Sequence, residues 1–429
     1  MALPLPFTTL DLQGEPVLAK NVVIAGRNIK QLVVEAGFGG STGGGSSVIN
    51  LSRLQVAQLY PIFEHNFTEN ILDTLIWHTK FTGAGSQTYL TDEKAQRLTV
   101  TGAAVDSVIR QTKQYFPYSF GQLFNADIGA LLDSPVANVR KRIGYFDVND
   151  GFFWQQDGTG LSIVGRSSTS GVPVDTVIPQ ASWNVDKFDG SGPSGVTLDV
   201  TKAQLFHVEI HGRPGVVRLG FIVNGAIQIA HEFFSANTLA FLIARVVTLP
   251  VRLEIANTAL SAGASIKHYG ARTAADAELT KFGTVRSVDN DNTNRNVSAA
   301  LLPLVSIRLK AANIRGTLFP ESLQVLITSS NDVYWQLILN GTLTAPTWVS
   351  VGATSMAEVD VVASAIAGGT VIDSGYTSNA IYFHKDIKSR FPIVSDIDAV
   401  PDTLTLAAKR IVGAGNTSTF GQLNFKEVY

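Results

Sequence analysis

Phe206, Val208 and Ile210 alternate with His207, Glu209 and His211. This period of two predicts a strand with one face in a core and the other face wet. Val216 to Val223 follows, then Asn224-Gly225, then Ala226 to Ala230. Asn-Gly between two such runs is a strong signal for a two-residue hairpin, so the segment is predicted to form a three-stranded meander. From Ile71 to Ala271 the chain consists of short runs rich in Val, Ile, Thr, Phe and Tyr, separated by Gly, Asp, Asn and Pro clusters. That spacing predicts a β-sandwich.

A polar run from Asp289 to Asn296 predicts an exposed loop, and a second β region follows. Its expected strands are Leu304 to Lys310, Leu323 to Thr328, Tyr334 to Leu339 and Val359 to Ala363, with Asn340-Gly341 as a turn. Leu423, Phe425 and Val428 alternate with polar residues, so the last residues are expected to close a sheet. Ahead of the sandwich, Leu51, Leu54, Val56, Leu59 and Ile62 keep roughly helical spacing until Pro61 disturbs it, which predicts a short helical connector over 48–70. Residues 1–47 read as an extended arm. Asn21 to Ile24 and Gln31 to Val34 are its candidate strands, and Gly37 to Ser47 has the composition of a flexible linker. The expected organisation is thus mainly β: an arm and linker (1–47), a helical connector (48–70), a jelly-roll β-sandwich (71–271) and a smaller β domain (272–429).

Composition narrows the function. Only 16% of the 429 residues are charged and the formal net charge is −2, so no electrostatic footprint for nucleic acid exists. Cysteine is absent, which removes disulfides, thiolate nucleophiles and thiolate-ligated zinc. Met-Ala-Leu-Pro-Leu-Pro lacks the basic and apolar regions of a secretory signal, and Leu239 to Ile255 is interrupted by Arg245, Pro250 and Arg252. Synthesis in a cytoplasm without a membrane span is expected, and the N-x-[ST] matches at Asn66, Asn296, Asn340 and Asn416 are then fortuitous.

Candidate chemistry is sparse. His207-x-Glu209-x-His211 would place two imidazoles and a carboxylate on one strand face, a partial metal set, although polar residues on a wet face explain it equally. His231-Glu232 follows one hairpin later. Gly39-x-Ser41-x-Gly43 matches a nucleophile elbow in form, but the glycines and serines after it are poor helix formers, so a linker is expected. The acidic stretches Asp147 to Gly151 and Asp289 to Asn294 lack the spacing of a calcium loop and read as solvated turns. Trp154 and Trp183, with Tyr145, are either stacking platforms for sugars or core filling. No catalytic, cofactor or metal residue is assigned. A carboxylate pair for glycoside hydrolysis cannot be read from sequence.

Several motifs occur in order between Arg110 and Asn257: Arg110-Gln-Thr-Lys-Gln-Tyr-Phe116, Arg140-Lys-Arg-Ile-Gly-Tyr-Phe-Asp147, Asn149-Asp-Gly-Phe-Phe153, Gln156-Asp-Gly-Thr159, Arg166 to Gly171, Gln180 to Asp186, Asp189 to Gly195, Leu198 to Ala203 and Leu249 to Asn257. Together they resemble a family of tailed-bacteriophage virion structural proteins with a concanavalin-like jelly roll. His211-Gly-Arg-Pro214 departs from it, since relatives carry an aromatic-glycine pair there. The resemblance implies a non-enzymatic virion component, as head decoration, fibre or adaptor, or tail or baseplate protein. Its expected partners are further copies of itself and other virion proteins, with no nucleic acid and no cofactor. A carbohydrate-binding module that meets host surface glycan through Trp154 or Trp183 is the alternative. A capsule-degrading enzyme is disfavoured, because no short fixed repeat of the elongated β-helix type is present.

Overall fold

The protein is seen here as a computed structural model. It describes residues 59–429 apart from 70–72, 119–120, 213–214, 241, 247, 277–282, 292–294, 329–330, 379–381, 388–391 and 429, together with the strands 9–10, 16–17, 19–24, 27–32, 48–49 and 53–54.

Residues 1–46 form one unit. Within it, Ala19–Ile24 and Arg27–Leu32 pair antiparallel, from Ala19 opposite Leu32 to Ile24 opposite Arg27. These two arm strands therefore find their backbone partners in each other. Ser41 and the glycine tract lie outside the described residues. Residues 47–429 form the second unit.

The helical connector expected over 48–70 is not what forms. Val48–Ile49 pairs with Arg53–Leu54, and Tyr60–Asn66 is a strand hydrogen-bonded to Ala264–Ala275. Pro61 lies beside a register shift between Thr273 and Ala274, where the ladder tolerates a missing N–H. Among the described residues α-helix is confined to Asp73–Ile76.

The jelly roll consists of two antiparallel sheets. One runs in the order Ala226–Phe234, Val216–Val223, Gln204–His211, Leu123–Leu131, Ala264–Ala275, Ala95–Val100, Ser86–Leu90, with Tyr60–Asn66 beside Ala264–Ala275. The other runs Val174–Pro179, Gly160–Ser167, Gly151–Asp157, Val139–Phe146, Val251–Asn257, Ser107–Thr112, Trp77–Thr82. The predicted meander is present. Asn224 and Gly225 both have positive φ (52° and 79°), which is the type I′ geometry that matches strand twist. Phe206, Val208 and Ile210 join Phe124, Trp154, Phe221 and Leu253 in the core between the sheets.

A second, smaller β-sandwich follows. Thr417–Val428 lies between Thr284–Asp289 and Thr317–Ile327, and alternates between buried and half-buried positions up to Glu427, where Glu427 and Val428 are both buried. It is an interior strand, not merely a closing edge. The facing sheet is built around Leu302–Leu309, Thr403–Arg410 and Val333–Leu339. Trp335, Leu323, Leu406 and Phe425 fill the space between. Asn290, inside the predicted exposed loop, is buried because its side chain bonds to Gly421 N (2.6 Å) and Thr419 O (3.3 Å).

Polar contacts join the two sandwiches. Lys113 Nζ reaches Asp402 Oδ1 at 2.9 Å, Arg315 Nε reaches Asp147 Oδ2 at 3.0 Å, and Ile397 N donates to His78 Nδ1 at 3.2 Å.

Candidate functional site

The His207 face is the first place to look for chemistry. Register sets its composition: Asp127 lies opposite His207, Asn125 opposite Glu209, Glu209 opposite Arg218, and Arg218 opposite Glu232. Cross-strand partners share a sheet face, so these groups converge on the side away from the core. His231 lies opposite Leu219, a core residue, so Glu232 rather than His231 joins the cluster.

This face is not the wet surface that alternation predicts, since His207 is 1% exposed and His211 4%. His207 Nδ1 lies 2.6 Å from Asp127 Oδ1 and Nε2 lies 3.2 Å from Glu209 Oε2. Burial alone would lower the His207 pKa, but the Asp127 and Glu209 hydrogen bonds outweigh it and hold the pKa up at about 9. The ring is therefore an imidazolium with both nitrogens donating, and no lone pair is left for a metal. Glu209 also contacts His211, and Arg218 bridges it to Glu232, with Nε 2.7 Å from Glu232 Oε1. Burial would raise the Glu209 carboxyl, yet the His207 bond and the nearby positive groups hold it below the usual range. Burial lowers His211, which stays neutral near pH 7. The result is a closed chain of alternating charge.

The outer face of the other sheet is built likewise. Arg142, Arg166 and Arg252 lie over a small apolar cluster of Phe146, Phe153 and Val164, with guanidinium-to-ring distances of 5.1 to 5.6 Å. Arg252 Nε donates to Glu254 Oε1 at 2.7 Å and Arg142 Nη1 to Glu254 Oε2 at 3.5 Å. Arg166 holds Asp175 through two bonds, at 2.7 and 2.9 Å. Burial opposes ionisation of Glu254, but Arg252 and Arg142 keep its pKa low.

The remaining sequence candidates resolve as framework. Trp154 and Trp183 are 0% and 3% exposed, and Trp154 packs edge-on against Phe206 with centroids 5.1 Å apart. The buried Tyr145 hydroxyl donates to Phe116 O at 2.6 Å. None of the three can serve as a sugar platform. In the Asp147–Gly151 turn Val148 at the tip is exposed, but the two carboxylates, Asp147 and Asp150, are buried rather than solvated. Asp150 accepts from Ser168 N, Ser168 Oγ and Arg245 N at 3.1, 2.8 and 2.9 Å, so N–H and O–H donors occupy the positions a cation would need.

A separate cleft, missed by every sequence motif, lies at one rim of the jelly roll. Its volume is 770 Å³, and its lining includes Arg97, Thr99, Lys141 and Ser265. Lys141 is 1% exposed, and its Nζ donates to Ser134 O at 3.2 Å and to Leu132 O.

No protein-family model matches the chain, and no curated protein matches it. Solved structures do. A structure reported with the endo-acting O-glycanases of the human gut microbiota is similar over 50% of this chain and 99% of its own, with 12% identity and a TM-score of 0.33. A glycosyl hydrolase family protein from Mycobacterium fortuitum covers 50% and 99%, with 10% identity and a TM-score of 0.31. A legume lectin-like domain from Entamoeba histolytica covers 51% and 98%, with 9% identity and a TM-score of 0.30. No functional residue is carried over from them.

Proposed function

We propose that the chain is a non-enzymatic structural component of a tailed-phage virion that acts through protein–protein assembly. The observation that carries this reading is the closure of both charged faces: Asp127, Glu209, Glu232, Asp175 and Glu254 each hold a cationic partner. A glycosidase needs a general acid and a second carboxylate that face a bound sugar. Carboxylates committed to imidazolium and guanidinium groups stiffen sheets instead.

Assembly also has a surface to use. Val174–Pro179 is an edge strand of the jelly roll, and Val172, Val174 and Val177 are 62%, 53% and 46% exposed. Such an edge pairs readily with a strand of a neighbouring copy. The ordered motifs between Arg110 and Asn257 supply the phage assignment. Many of them fall on the framework just described, including Arg142, Asp150, Arg166 and Glu254.

Antibody against the purified protein should label intact particles of the phage that encodes it. Light scattering should find the full-length chain oligomeric, and a chain lacking residues 1–47 less so. Particles without the protein, together with a monomeric full-length chain, would sink the proposal.

A further inference from the structure

The rim cleft is a built site that the structural role leaves unused. Thr99 lies opposite Ser86 on one neighbour and Ser265 on the other, and Arg97 lies opposite Thr88. The hydroxyls of Ser86, Thr88, Thr99 and Ser265 thus form two adjacent rows on the face away from the core. None has a hydrogen-bond partner among the described residues. Arg97 Nε is buried without a partner, and no ion pair of Arg97 occurs among the described residues. Lys141 is an ammonium with three donors, and two carbonyls take two of them, so one remains. Asp133 is the acidic side chain in the lining, against the two cations Arg97 and Lys141.

We infer that this cleft binds an acidic saccharide, with the sugar carboxylate on Arg97 and Lys141 and the ring hydroxyls on the serine and threonine rows. The inference is independent of the virion reading. Three features select that chemistry. A volume of 770 Å³ suits one to a few sugar rings. Unpartnered hydroxyls, able to donate and accept, match a polyol. A guanidinium and an ammonium with spare donors match a carboxylate. Among the described residues no aromatic side chain lines the cleft, so none of them would stack a nucleobase.

Burial lowers the Lys141 pKa to about 8, with Asp133 opposing the shift. The lysine contribution is therefore lost on raising the pH through about 8.

The test is saturation-transfer NMR on the full-length protein with glucuronate and N-acetylneuraminate, against glucose and inorganic phosphate, each at millimolar concentration. An acidic sugar should bind, with glucose about tenfold weaker or more, as expected for one lost charge-assisted contact. Arg97→Gln, at a partly exposed position, should cost about tenfold for the acid and leave glucose unchanged. Wild-type affinity should fall as pH rises through 8, while Lys141→Met should bind weakly with a flat profile. Four results would overturn the inference: no transfer to either acid, equal binding of glucose, displacement of the acids by phosphate at equal concentration, or Arg97→Gln binding like wild type.

Discussion

Raising the pH from 6.5 to about 9 should destabilise the jelly roll through one residue, His207. Below 6.5 the imidazole is protonated in both the folded and the unfolded chain, so its stabilisation is fully present. Between 6.5 and about 9 the folded protein keeps a proton that the unfolded chain has released, and stability falls with rising pH. Above about 9 the contribution is gone. At about 1.4 kcal/mol per pH unit, the interval corresponds to about 3 kcal/mol. Other groups change stability in or near this window with the opposite sign. Burial depresses Lys141 to about 8, so the unfolded chain there holds the extra proton and stability rises from about pH 8 upward. His211 and His231 are lowered by burial, and they reduce stability only as pH falls below their usual range. The measurement is therefore a difference: urea unfolding of the wild type and His207→Gln, followed by tryptophan fluorescence at several pH values. The wild-type advantage should shrink by about 3 kcal/mol across the window. Parallel pH profiles would show that Asp127 and Glu209 do not hold the ring as an imidazolium.

Asp150→Ala should cost about 3 to 5 kcal/mol, because it strands the N–H groups of Ser168 and Arg245 and the Ser168 hydroxyl in a buried turn; urea unfolding reads this directly. Trp154→Ala should cost about 3 to 5 kcal/mol by opening a cavity between Phe206 and Phe221, and should leave sugar binding at the rim cleft unchanged. Gly144→Ala should cost about 1 to 3 kcal/mol, since a Cβ there would lie 2.3 Å from Phe152 O and the strand would have to shift; circular dichroism melting tests it.

Local pattern made the strands legible. Phe206, Val208 and Ile210 with Asn224-Gly225 define the meander, since alternation and turn chemistry are written in adjacent residues. Alternation says that a strand has two faces, but not whether the second is covered. The burial of His207 depends on Asp127, eighty residues away, and was not readable. Asp150 reads as a turn residue because its partner Arg245 is equally remote. Spacing misled over 48–70, where a few leucines and valines fit a helix by position, while the edge of Ala264–Ala275 offered Tyr60–Asn66 a ladder. The cleft illustrates the same limit: Thr99, Lys141 and Ser265 form no motif, and register alone brings Thr99 and Ser265 together.

The Arg142, Arg252 and Glu254 network constrains how this protein can change over generations. Removing one member of a buried ionic set leaves a partner uncompensated, at a cost of about 3 to 5 kcal/mol, which is much of the stability a domain has. Replacing the whole set with well-packed apolar side chains can be neutral. Drift at these positions is therefore expected in concerted steps rather than singly. In an alignment of true homologues, Arg142 and Arg252 should vary together with Glu254, and Arg166 with Asp175, while the valines of the Val174–Pro179 edge vary with whatever surface they meet.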